Sequence, residues 1–131
     1  MAALRLVRLA VIAGLAALPI SNAANAQQPV KEGDTLTGKL RRVAARHPNG
    51  TRIEAWQIVS RPRMMPANDD FCDYKNGATT FHLFTMTDAL RKQLKPWLGK
   101  TITVKATALF CSQTAWHIGD VAVPAWTLVS K

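Results

Sequence analysis

Five segments of the chain read as strands, and a single short amphipathic pattern falls between the third and fourth of them. Two cysteines bracket that crossover. Together these observations predict a mainly β protein, a small five-stranded barrel of OB-like architecture in which the helix between strands 3 and 4 plugs the open end. A small β-sandwich is the alternative, and the one well-placed helix disfavours it.

The first strand is T-L-T-G-K-L-R-R-V, from Thr35, where Leu36, Gly38 and Leu40 alternate with Thr37, Lys39 and Arg41 before the pattern fails at Arg42-Val43. A bend or bulge is expected there, and a glycine inside the strand suits a tightly coiled sheet. His47-Pro48-Asn49-Gly50 is a strong turn signal and leads into T-R-I-E-A-W-Q-I-V as the second strand, completing a long hairpin. From Pro62 to Gly77 prolines and an Asn-Gly pair predict irregular chain; the carboxylates Asp69, Asp70 and Asp73 around Cys72 lack the spacing of a calcium loop. A-T-T-F-H-L-F-T-M supplies the third strand. Thr87 then reads as an N-cap, Leu90 and Leu94 lie one turn apart, and Pro96 ends the helix. T-I-T-V-K-A-T-A-L-F is the clearest strand, with Ile102, Val104, Ala106, Ala108 and Phe110 on one face. Trp116 to Ile118 is expected to be extended again, and V-A-V-P-A-W-T-L-V is the last strand, with Pro124 at an edge or a bulge.

The opening of the chain predicts where it works. Arg5 and Arg8 precede an apolar run from Leu9 to Leu18, then Pro19, and Ala24-Asn25-Ala26 offers the small residues that signal peptidase reads. The run is about ten residues against the roughly twenty that span a bilayer, so a cleaved signal peptide over 1–26 is expected rather than a membrane anchor. The mature chain, 27–131, is then one domain, periplasmic or secreted, with no transmembrane segment. With Arg5 and Arg8 removed from the 17 basic residues, 15 face 8 acidic ones, a formal charge of +7. Outside the cytoplasm such charge points to an anionic envelope ligand or an acidic protein, and export argues against nucleic acid.

Cys72 and Cys111 form an even pair in the exported part, which predicts a disulfide across the helical crossover. The competing readings are weaker. Acidic neighbours tend to raise the Cys72 thiol, a Cys111–His117 nucleophile pair has no support beyond proximity, and scattered cysteines and histidines lack zinc-ligand spacing. No metal, no cofactor and no catalytic group is therefore expected.

T-L-T-G-K-L at Thr35 to Leu40, L-G-K-T-I-T-V-K-A at Leu98 to Ala106 and a histidine soon after are similar to an exported bacterial domain family of unknown function with OB-like architecture. The resemblance covers most of the mature chain and implies a fold but no reaction. Ala106 stands where that pattern has glycine, and Trp116-His117 stands where a histidine pair is commoner.

The expected function is a non-catalytic binding module. Its candidate residues are Arg41, Arg42, Arg46, Arg61 and Arg63 of the basic hairpin, Trp56 on the second strand, and Trp116 with His117 after the fourth. The alternative is an inhibitor or immunity-type protein that blocks an acidic enzyme. An enzyme is disfavoured: Glu54 is the one glutamate after the entry segment, and the sequence has neither G-x-S-x-G nor H-E-x-x-H.

Overall fold

A computed structural model describes residues 28–66 and 71–130. Residues 1–26, expected to be a signal peptide, and the carboxylates Asp69 and Asp70 lie outside the described residues. Strands β1 (Thr35–Arg46), β2 (Arg52–Arg63), β3 (Ala78–Leu83), β4 (Thr101–Cys111) and β5 (Val121–Ser130) close into a barrel in the order β1-β2-β3-β5-β4. All neighbours are antiparallel except β3 and β5. The helix α1 (Asp88–Leu94) and a 3-10 turn (Lys95–Trp97) occupy the β3–β4 crossover. This is the five-stranded barrel with one helix between strands 3 and 4 that the pattern predicts.

β1 serves two partners in succession, pairing with β4 through Thr35–Lys39 and with β2 through Lys39–Arg46. Gly38 lies just before the change. A Cβ there would come within 2.3 Å of the Val59 carbonyl oxygen and 2.7 Å of Ile58 Cγ2, so only glycine lets the two strands approach. Leu36, Leu40, Ile58, Phe81, Leu83, Ile102 and Val104 fill the interior. Thr87 caps α1 by accepting from the Leu90 amide at 3.3 Å, and the helix buries Leu94 in the same core. Truncating Leu94 to alanine removes the plug's apolar contact, at about 2–5 kcal/mol.

Three boundaries differ from the sequence reading. β2 runs on through Pro62, and its pairing with β3 slips between Val59 and Arg63, so the proline sits where ladder bonds are already broken. β3 stops at Leu83. Residues 116–118 are not extended: His117 Nδ1 accepts from the backbone amides of Gln113 and Thr114 at 3.0 and 3.3 Å, which folds the segment into a turn. Pro124, as expected, falls at an irregularity, between the Ala108↔Ala125 and Phe110↔Ala122 pairings.

Cys72 and Cys111 are joined in a disulfide with Cα atoms 5.4 Å apart. It ties the β2–β3 connection to the last residue of β4. No helix among the described residues is long and apolar enough to cross a membrane.

Candidate functional site

Beyond Leu40 the hairpin leaves the barrel while its alternation continues. The side chains in phase with Leu36 and Leu40 are now Arg42, Ala44 and Arg46, and directly across from them lie Trp56, Glu54 and Arg52. An apolar interior thus becomes a charged shelf. Two depressions meet on it and share Arg42 and Glu54. One, of about 880 Å³, follows the hairpin past Ala44, Arg46 and Arg52. The other, of about 230 Å³, lies between Trp56 and the helical Asp88, Arg91, Lys92 and Lys95.

Partial neutralisation tunes this groove. Arg42 approaches Glu54 at 3.7 Å and its guanidinium carbon lies 5.7 Å from the Trp56 ring centroid, while Arg91 pairs with Asp88 one turn earlier. Both pairs are largely exposed, so each is weak and leaves its cation available to a ligand. Arg46 and Arg52 oppose each other across the strands, an arrangement of like charges that an anion relieves. Among the described residues Arg52, Lys92 and Lys95 make no salt bridge. Six cations and two carboxylates border the joined groove.

The other face of the hairpin is closed. Arg41 and Gln57 face each other there, with Arg41 Nε donating to Gln57 Oε1 at 2.9 Å. Gln57 Nε2 donates in turn to the Ile118 carbonyl, and the Ile118 amide donates to His82 Nδ1 at 2.9 Å. The β4–β5 loop therefore lies across the outer surface of β2 and β3, leaving Gln57 2% and His82 7% exposed. Gly119 permits this approach: its φ is +139°, and a Cβ would meet Gln57 Nε2 and two Thr80 oxygens at 3.3 Å. At the loop tip Trp116 stacks on His47 of the β1–β2 turn, with centroids 3.9 Å apart. Burial, and then the nearby His117, lowers the His82 imidazole from 6.5 to about 4.

The chain matches no family model, no curated protein and no solved structure. The site rests on its geometry alone.

The candidate residues divide. Arg42 and Arg46 share the groove, whereas Arg41 is on the opposite face. Arg61 and Arg63 lie at the far end of β2, on the order of 30 Å from Arg52 along the strand. Arg63 Nη1 donates to the Thr35 carbonyl at 3.1 Å, a structural role. Trp56 is a core residue, 2% exposed, whose buried Nε1 has no partner among the described residues. Trp116 is brought to the hairpin turn and remains 44% exposed, whereas His117 packs against Phe84 and Phe110 and holds the loop's own backbone.

Sequence reasoning missed the helical cations. Arg91, Lys92 and Lys95 are polar positions of a short amphipathic helix, and nothing in their spacing says that the hairpin borders them. It also missed His47, His82 and Gln57. The available signal was parity: His82 alternates with the core residues Phe81 and Leu83 and so had to face outward beside its β2 neighbour.

Proposed function

We propose that this protein is a small non-catalytic binding module of the periplasm or the secreted space that holds an anionic ligand in the groove between the hairpin and α1. The observation that carries the reading is the joining of two depressions at Arg42 and Glu54, with Arg46 and Arg52 on one side and Arg91, Lys92 and Lys95 on the other. A run of cations along a strand and across to a helix suits a ligand with several negative charges better than a single ion. The histidines support the non-catalytic part. All three accept backbone amides through Nδ1, His47 from Asn49, His82 from Ile118 and His117 from Gln113 and Thr114, and so serve the loops. The resemblance to an exported domain family and the basic mature chain support the location and the sign of the ligand.

Binding of the mature protein to phosphatidylglycerol vesicles and to inorganic polyphosphate tests the reading. Affinity for at least one should fall steeply between about 50 and about 300 mM salt, because exposed charges are screened over about 8–10 Å. Replacing Arg42, Arg46 and Arg52 together with glutamine should weaken it about tenfold or more, and Arg61→Gln should leave it unchanged. Equal losses from both changes would reduce the groove to diffuse surface charge and overturn the site.

A further inference from the structure

We propose that the Gln113–Ile118 segment is a proton-released cover over the outer face of β2 and β3, latched by the Nδ1 atoms of His82 and His117. An imidazole nitrogen that accepts a backbone N–H must be unprotonated, with the ring's hydrogen on Nε2. His82 meets that condition at one end of the segment through the Ile118 amide, and His117 at the other through the Gln113 and Thr114 amides. Protonation places a hydrogen on each Nδ1 facing an N–H, and the three bonds are lost.

The two rings lie in one aromatic cluster. Phe84 is 4.8 Å from His82 and 5.7 Å from His117, and Phe110 is 5.2 Å from His117 by ring centroids. A second positive charge there is opposed by the first. For His82, burial and then the nearby His117 favour the neutral ring. β1 contributes Arg41, hydrogen-bonded to Gln57 beside His82; the β1–β2 turn contributes His47, stacked on Trp116; β5 places Ala122 opposite His82. The nearby carboxylate is Asp120, and its Oδ2 accepts from the amides of Thr79 and Thr80 at 2.9 and 3.3 Å. Tyr74 contributes its hydroxyl, donated to the Asp120 carbonyl.

The ends of the loop hold without histidine. Ser112 donates its amide to the Asp120 carbonyl at 2.9 Å, and the Asp120 amide donates to Thr80 Oγ1 at 2.8 Å. Acid therefore breaks the three histidine bonds of the span between two fixed points and loosens the cover over His82, with the Gln57 Nε2 bond to the Ile118 carbonyl as the remaining tie, while the barrel ladder persists. This follows from the loop's own bonds and does not depend on the groove's ligand.

Hydrogen exchange of the mature protein, read as protection factors corrected for intrinsic rates, tests the cover. Protection of the Gln113 and Ile118 amides should fall at least about tenfold between pH 7 and pH 4, with the β1–β4 ladder unaffected. In the His82→Asn/His117→Asn double variant the amide oxygens accept near the former Nδ1 positions and do not titrate, so the fall should disappear. Unchanged protection in the wild-type protein at pH 4 overturns the proposal. So does an equal fall in the double variant, which would transfer the sensitivity to Asp120. The wild-type Ile118 amide shift gives a second reading that needs no variant: it should move together with the His82 ring resonances as that imidazole titrates, and an Ile118 shift that stays constant while the ring titrates overturns the latch.

Discussion

The two faces of one hairpin have opposite fates. On the face bearing Arg41 and Gln57 the polar side chains are tied to one another or to the β4–β5 loop, and the surface that OB barrels commonly offer to ligands is filled by the chain itself. One residue further, on the face bearing Arg42, charge is left partly unpaired beside a helix that adds three more cations. Arg41 and Arg42 are chemically identical neighbours, and strand parity alone makes one a brace and turns the other toward the groove. Fold-level expectation therefore points to a side that the loop covers, and the interior phase of β1, continued past the barrel's end, leads to the open groove.

The largest way to separate the faces is to remove the staple. Cys111 ends β4 immediately before the covering loop, so the Cys72→Ser/Cys111→Ser variant loosens the closed side. The cross-link is worth about 3–4 kcal/mol by the chain-entropy estimate, which lowers the melting temperature by roughly 10–20 °C. Anion binding measured well below that transition should persist. Joint loss of stability and binding would show that the faces are one unit.

A smaller cut comes from acid. His82 lies at about 4 rather than 6.5, because burial and His117 disfavour its cation. The opened chain takes up the proton more readily than the closed one. The stabilisation is therefore complete above about pH 6.5, declines as pH falls, and is gone below about 4, a change of about 3 kcal/mol. Denaturant midpoints should decline over that window and do so less steeply in His82→Asn. An identical decline in that variant would assign the loss to the carboxylates.

The legible and illegible parts of the molecule separate by range. Strand order, the helix plug and the disulfide were readable because each is written locally: alternation about Leu36 and Leu40, the Thr87 cap with Leu90 and Leu94, and a single pair of cysteines in the chain. Gly38 was readable as a coil point, although the Val59 carbonyl that requires it was not. The groove was illegible because Arg42 and Lys92 are fifty residues apart, and their meeting depends on how far the hairpin overshoots the barrel. The turn at Trp116–His117 was misread for a related reason. Its apolar residues look like a strand until the histidine is seen to bond its own backbone.

Parity gives the third prediction. Arg42→Gln should weaken polyphosphate or vesicle binding by roughly three- to tenfold, about 1 kcal/mol, while thermal stability changes by no more than about 0.5 kcal/mol. Arg41→Gln should do the reverse, sparing affinity and raising exchange at Ile118, since Gln57 loses the bond that orients it. Equal effects on affinity would mean that both faces see the ligand and that the loop does not cover one of them in solution.

The smallest effect sharpens the comparison most. Glu54 is the hairpin's own carboxylate in the groove, 3.7 Å from Arg42 with both side chains about half exposed. Glu54→Gln removes one negative charge from the ligand's path and frees Arg42 from its partner, yet keeps the side chain's length and β2's register. An exposed pair of this kind contributes a few tenths of a kcal/mol to stability at most. Affinity for polyphosphate should therefore rise, by about two- to threefold at low salt, with the gain vanishing as salt screens the site. The sign is the test. Improved binding means that Glu54 competes with the ligand for Arg42, and the groove is the contact surface. Weakened binding means that Glu54 instead holds Arg42 in its position over Trp56, which makes the ion pair part of the site's construction.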